Sequence, residues 1–138
     1  MKILRYLDST QTVRFGAQQA DGSIRRLEGD IYAQPTVSEI VDTPAKLLAP
    51  IVPTQILCIG LNYRQHATES NMKEPERPIL FVKGINTLQH PGAPIEIPTH
   101  LASTEVDYEC ELAVVIGKAC KNVSPENALD YVLGYTCA

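Results

Sequence analysis

Apolar positions along this chain fall into two regimes, short alternating runs in the first third and continuous apolar runs after residue 54. Ile3 to Leu7 reads as a strand, and Val13, Phe15 and Ala17 alternate before Asp21-Gly22, a strong hairpin-turn signal. Ile24 to Leu27 is the predicted return strand, weakly patterned because Arg25 and Arg26 are adjacent. Thr36-Val37-Ser38-Glu39 has capping-box spacing, and Val37, Ile40 and Val41 supply an apolar face, so a helix is expected there. The prolines in Ala49-Pro50-Ile51-Val52-Pro53 resist helix and mark a linker. Residues 1–53 are therefore expected to form a small leading module, and residues 54–138 a second unit.

That second unit opens with Gln55 to Gly60, a short buried strand, followed by a short helix or turn over Asn62 to Glu69. Ser70 to Pro78 is polar and holds two prolines, which predicts a mobile loop before a strand at Ile79 to Lys83. Pro91, Pro94 and Pro98 then punctuate an extended connection. The run Val106 to Gly117 begins as an alternating strand and ends, from Leu112 to Ile116, with nothing polar, as a strand entering a core would. Ser124-Pro125-Glu126 opens a helix well, Gly134 would close it, and Tyr135 to Ala138 begins another strand.

Composition narrows the functional classes. The apolar fraction of 44% suffices for a core. A net charge of −4 without a basic cluster argues against nucleic-acid or anionic-membrane partners. No apolar run approaches membrane-spanning length, and no apolar stretch follows the Met1-Lys2-Ile3-Leu4-Arg5 start. Cys58, Cys110, Cys120 and Cys137 form no Cys-x-x-Cys pair, and two fall in predicted buried strands. The expectation is reduced packing thiols in a cytoplasmic protein.

Candidate chemistry gathers in two places. On a strand, Glu109 and Glu111 project from one face, roughly 6.5–7 Å apart along the backbone. Two carboxylates held together beside a core repel each other and lose solvation, and a divalent cation relieves both costs. With no Cys/His cluster, Mg2+ or Mn2+ suits these oxygen donors better than Zn2+; a solvated acidic strand face is the alternative. His66 and Glu69, at i and i+3, share a helix side, where the carboxylate would orient an imidazole that takes a proton from water. An exposed polar pair without a task is the alternative. Lys83 either balances an anionic substrate or marks the solvent end of its strand, and His90 and His100 read as surface residues.

Taken in order, Cys58-Ile59-Gly60-Leu61-Asn62-Tyr63, His66-Ala67-x-Glu69, Pro78-Ile79-Leu80-Phe81-Val82-Lys83, Glu109-x-Glu111-Leu112-Ala113-Val114-Val115-Ile116-Gly117 and Asp130-Tyr131-Val132-x-Gly134-Tyr135 resemble the fumarylacetoacetate hydrolase family. The match runs from about Ile56 to Ala138, and the leading module looks like the variable N-terminal region of bacterial members. The resemblance implies an α+β fold: a mixed β-roll catalytic domain, here incomplete, preceded by a small β-rich N-terminal module. It further implies a Mg2+ or Mn2+ ion held by Glu109 and Glu111, a water-activating dyad of His66 and Glu69, and a homodimer. Family chemistry comprises C–C hydrolysis of β-diketo acids, decarboxylation or isomerisation of oxo acids, and hydration of dienoates. Members continue past the Gly-Tyr strand with a third acidic metal ligand and a catalytic lysine, whereas this sequence stops at Ala138. It therefore reads as the N-terminal part of a metal-dependent hydrolase or lyase of small oxo acids, with little or no activity alone. The competing expectation is a non-catalytic fragment or subunit that needs a second chain to complete the site.

Overall fold

In the computed structural model, which describes residues 1–101 and 103–138, the N-terminal third is one antiparallel sheet. Its strands are β1 (Lys2–Leu7), β2 (Val13–Gln18), β3 (Ile24–Glu28), β4 (Thr36–Asp42) and β5 (Lys46–Leu48), ordered β4-β3-β2-β1-β5. β1 and β2 pair from Lys2↔Gln18 to Leu7↔Val13, so the chain reverses around Asp8. The Asp8 carboxylate accepts from the Thr10 and Thr12 backbone N–H groups, the Thr10 hydroxyl and the Arg14 guanidinium. These donors, led by the Thr10 hydroxyl, hold its carboxyl far below the usual carboxylate range. The Asp21-Gly22 hairpin forms as expected, with Gly22 at φ 86°, where a side chain would be strained.

The expected helix at Thr36 is a strand instead. Four of its seven residues, Thr36, Val37, Ile40 and Val41, are β-branched and favour a pleated surface. Pairing with β3 settles the competition: Ile24↔Asp42, Arg25↔Val41, Leu27↔Val37 and Glu28↔Thr36, with a bulge between Arg25 and Leu27. The adjacent arginines, awkward in the pattern, each find a β4 carboxylate: Arg25 reaches Glu39 at 2.8 Å, and Arg26 grips Asp42 with Nε at 2.8 Å and Nη2 at 2.7 Å. Asp42 also accepts the hydroxyl of Tyr6, which is wholly buried, at 2.6 Å. The Tyr6 ring passes so close to Gly16 that an added Cβ there would lie 3.1 Å from it and 2.5 Å from Ile24. Ala17, Leu27, Ile31, Leu48 and Ala49 are the other buried apolar residues described in this module.

The remainder is two hairpin-like ladders and connections. β6 (Ile56–Gly60) pairs antiparallel with β7 (Ile79–Lys83), and the six-residue helix α1 (Arg64–Glu69) lies between them in sequence. β8 (Leu112–Ile116) pairs with β9 (Val132–Cys137), and a 3-10 helix over Pro125–Tyr131 joins these strands. Ser124 is its N-cap as expected, but Gly134 lies within β9 opposite Val115 and does not terminate the helix. The tight 3-10 winding ends at Tyr131, where Val132 turns extended and pairs with Ile116.

The acidic segment also departs from expectation. Strand geometry starts only at Leu112, and pairing in the ladder reaches no further back than Glu111, whose backbone exchanges two 2.9 Å hydrogen bonds with Ala138. Nor is β8 engulfed: Leu112, Val114 and Ile116 are exposed, and only Ala113 and Val115 are half-buried. Of the cysteines, Cys58 is half-buried; Cys110, expected inside a strand, is exposed, as are Cys120 and Cys137, and all four are free thiols. Among the described residues, no helix is long and apolar enough to cross a membrane.

Candidate active site

β6 delivers its chain to Gly60, and the next residue, Leu61, takes a left-handed conformation at φ 51° that a bulky side chain rarely adopts. Such a conformation costs on the order of 1–3 kcal/mol and persists only where its surroundings enforce it. The turn it produces launches α1 with Tyr63 as N-cap. Tyrosine is a poor cap, and its side chain makes no capping hydrogen bond. Its hydroxyl instead accepts the backbone N–H of Leu112 at 2.8 Å, across 49 residues of sequence. That contact joins the start of α1 to the residue following Glu111. Neither Leu61 nor Tyr63 stood out in sequence beyond belonging to the Gly-Leu-Asn-Tyr run, since periodicity carries no information about φ or about a remote partner.

His66 and Glu69 lie on α1 and are both exposed, while the intervening Ala67 is buried. The Glu69 carboxylate accepts from the Gln65 amide at 2.8 Å, one turn earlier, and His66 gives its carbonyl to the N–H of Ser70. Among the described residues, no hydrogen bond or ion pair joins His66 to Glu69. Glu109 is exposed in irregular chain and Glu111 is half-buried at the head of β8, so the strand alternation expected to align them does not extend to Glu109. Neither carboxylate has a cationic partner among the described residues. A single hydrogen bond thus links Tyr63, the residue before α1, to Leu112, the residue after Glu111.

Lys83 is placed elsewhere. The β6–β7 register sets Gly60 opposite Ile79 and Ile56 opposite Lys83, so Lys83 is four residues, roughly 13 Å, along the ladder from the Gly60 end. Its ammonium lies 5.9 Å from the Phe81 ring centroid, on the same strand face. His100 is exposed as expected, whereas His90 is not simply a surface residue: its Nδ1 accepts the N–H of buried Ala49 at 3.1 Å. This bond ties the proline-punctuated connection to the end of β5. A groove of about 470 Å3 between Ile3 and Leu48 on one side and Val115 and Tyr135 on the other is lined by none of the candidate residues.

A hard dication fits these donors in kind but not in number. Two oxygen-only carboxylates suit Mg2+ or Mn2+, yet among the described residues no group of three His, Cys, Asp or Glu side chains is close enough to hold an ion.

Residues 55–138 match the family described as fumarylacetoacetate (FAA) hydrolase, C-terminal. The chain belongs to the fumarylacetoacetate hydrolase family. Residues 1–50 match a second family, Rv2993c-like, N-terminal. Among relatives, the sequence is 50% identical over 93 residues to a Xenopus laevis protein named oxaloacetate tautomerase fahd2, mitochondrial, covering 67% of this chain and 28% of that protein. It is 48% identical over 115 residues to the caffeoylpyruvate hydrolase of Neonothopanus nambi, covering 79% of this chain and 39% of the relative. The solved 2-hydroxyhepta-2,4-diene-1,7-dioate isomerase of Mycobacterium marinum superposes with a TM-score of 0.79 at 29% identity, over 99% of this chain and 52% of that one. Members of this family are thus enzymes that hydrolyse, isomerise or tautomerise, and this chain spans about half the length of the solved relative and less of the two curated ones.

Proposed function

We propose that this chain carries the proton-handling and metal-gripping part of an enzyme acting on small oxo acids. The observation supporting it most is the 2.8 Å bond from Leu112 to Tyr63, which links the residue before the His66 helix to the residue after Glu111 across 49 positions of sequence. In this reading β6 to β9 are the opening strands of the mixed β-roll, and Glu109 and Glu111 hold Mg2+ or Mn2+. The ion, when bound, supplies Lewis acidity toward the oxygen atoms of an oxo acid.

The chain's own residues do the rest. His66, exposed on α1, takes a proton from water or from the carbon next to a carbonyl. Glu69 is one helical turn from His66 and steadies the charged imidazole once Gln65 releases it. Lys83 neutralises the distal carboxylate of an extended substrate, a role its position some distance along the ladder suits. Taking a proton, from water or from the carbon beside a carbonyl, is a step that hydrolysis, tautomerisation and isomerisation can share.

The accompanying reading, that further polypeptide completes the site and that the active form is a homodimer, is favoured by β7. All five of its residues are exposed, Leu80 by 62% and Val82 by 58%. A strand this apolar is covered in any working enzyme. The test is pyruvate titrated into the Mn2+-loaded chain with water-proton relaxation as readout. A pyruvate-dependent fall in relaxivity, absent from the Glu109→Ala/Glu111→Ala variant, is expected. An unchanged relaxivity in the wild-type chain contradicts the proposal.

A further inference from the structure

The pairing of β8 with β9 has a directional consequence. Glu111 and Ala138 exchange both backbone hydrogen bonds, so the next pair, Leu112↔Cys137, is a non-bonded one whose N–H groups point away from the ladder. The Leu112 N–H therefore faces the outer edge of β8, and the Tyr63 hydroxyl is what meets it there. Two local choices around Tyr63 run against helix or backbone preference: a left-handed Leu61, and an N-cap tyrosine whose side chain makes no capping hydrogen bond. Both become intelligible if what matters is the reach of the phenol to β8.

We infer that Tyr63 is a positioning residue: by accepting the Leu112 N–H it sets the distance and orientation between the His66 helix and the Glu109/Glu111 carboxylates. It touches neither proton nor metal in this role, and it acts through the backbone of the residue next to Glu111. The inference rests on the proposed division of labour between His66 and the glutamate pair, and it names the part that holds the two together. Because the hydroxyl only accepts, removing it leaves both functional groups chemically intact and changes their placement alone.

Tyr63→Phe in the full 138-residue chain is the test. Tyr63 is 41% exposed and the ring is retained, so the fold survives the change. Two NMR readouts apply. Exchange of the Leu112 amide is expected to accelerate about five- to tenfold, as for loss of one hydrogen bond, while the Ala113 amide keeps its protection. Broadening of the His66 ring protons by Mn2+ is expected to drop by at least half, with Mn2+ affinity changed less than about threefold, a split that general loosening would not produce. Unchanged Leu112 exchange overturns the contact, and accelerated exchange with undiminished His66 broadening overturns the positioning role. If Mn2+ broadens nothing near Glu109 and Glu111 in the wild-type chain, the metal assignment fails and the positioning role falls with it; the exchange result then still reports on the contact itself.

Discussion

Replacing Asp42 with alanine strikes the clasp that makes a strand of Thr36–Asp42. Asp42 receives two charge-assisted hydrogen bonds from Arg26 and one from the Tyr6 hydroxyl, with side-chain exposures of 10% for Asp42 and 23% for Arg26. Removing one partner of a buried pair costs about 3–5 kcal/mol, and the water that Arg26 retains places this case near the lower figure, about 3 kcal/mol. Part of that loss is the orphaned Tyr6 hydroxyl, so Tyr6→Phe added to Asp42→Ala should cost less than the two separate losses combined, by roughly 1 kcal/mol. The chain has no tryptophan, so urea unfolding is followed by far-UV circular dichroism; the midpoint should fall by roughly 1–2 M. The sign with pH follows from the guanidinium of Arg26, which holds the Asp42 carboxyl below its ordinary value, with the Tyr6 hydroxyl adding to the effect. The clasp is at full strength above the unfolded carboxylate value of about 3.9 and weakens as pH falls below it. The gap between wild type and Asp42→Ala should therefore be constant near neutrality and narrow in acid. A loss under about 1 kcal/mol, or a gap that widens on acidification, would refute the reasoning.

Other expectations concern packing and the connections between parts. Gly16→Ala should destabilise by about 1–3 kcal/mol in the same unfolding assay, since its Cβ has no room beside Ile24 and Tyr6. His90→Ala should leave the buried Ala49 N–H without an acceptor, costing about 1–3 kcal/mol and deprotecting that amide in hydrogen exchange. Lys83→Met should leave Mn2+ affinity within about twofold by calorimetry, because the register places it well away from the Gly60 end of the ladder.

Much of the fold was legible from pattern. β1, β2, β3, β6, β7 and β9 begin or end within a few residues of where alternation, apolar runs and turn residues put them, and α1 follows from composition. The miss at Thr36–Asp42 has a specific cause. A capping box and an i, i+3, i+4 apolar set are local signals, whereas the deciding partners, Arg25 and Arg26, belong to another strand. At the acidic run the alternation from Val106 to Glu111 is real in sequence, but a strand needs a neighbour, and the ladder's backbone pairing reaches back only to Glu111. For the site, residue types and order sufficed to recognise the family, while the bond between Tyr63 and Leu112 did not show. A tyrosine hydroxyl meeting an outward-facing backbone N–H leaves no periodic trace, and neither does an imidazole that accepts from Ala49.

The most direct measurement is a calorimetric Mn2+ titration of the chain beside its Glu109→Ala/Glu111→Ala variant. One saturable, weak site is expected, in keeping with two carboxylates supplying a minority of an octahedral shell, and it should be lost in the variant. Saturable binding that survives both substitutions, or none in the wild-type chain, would contradict it.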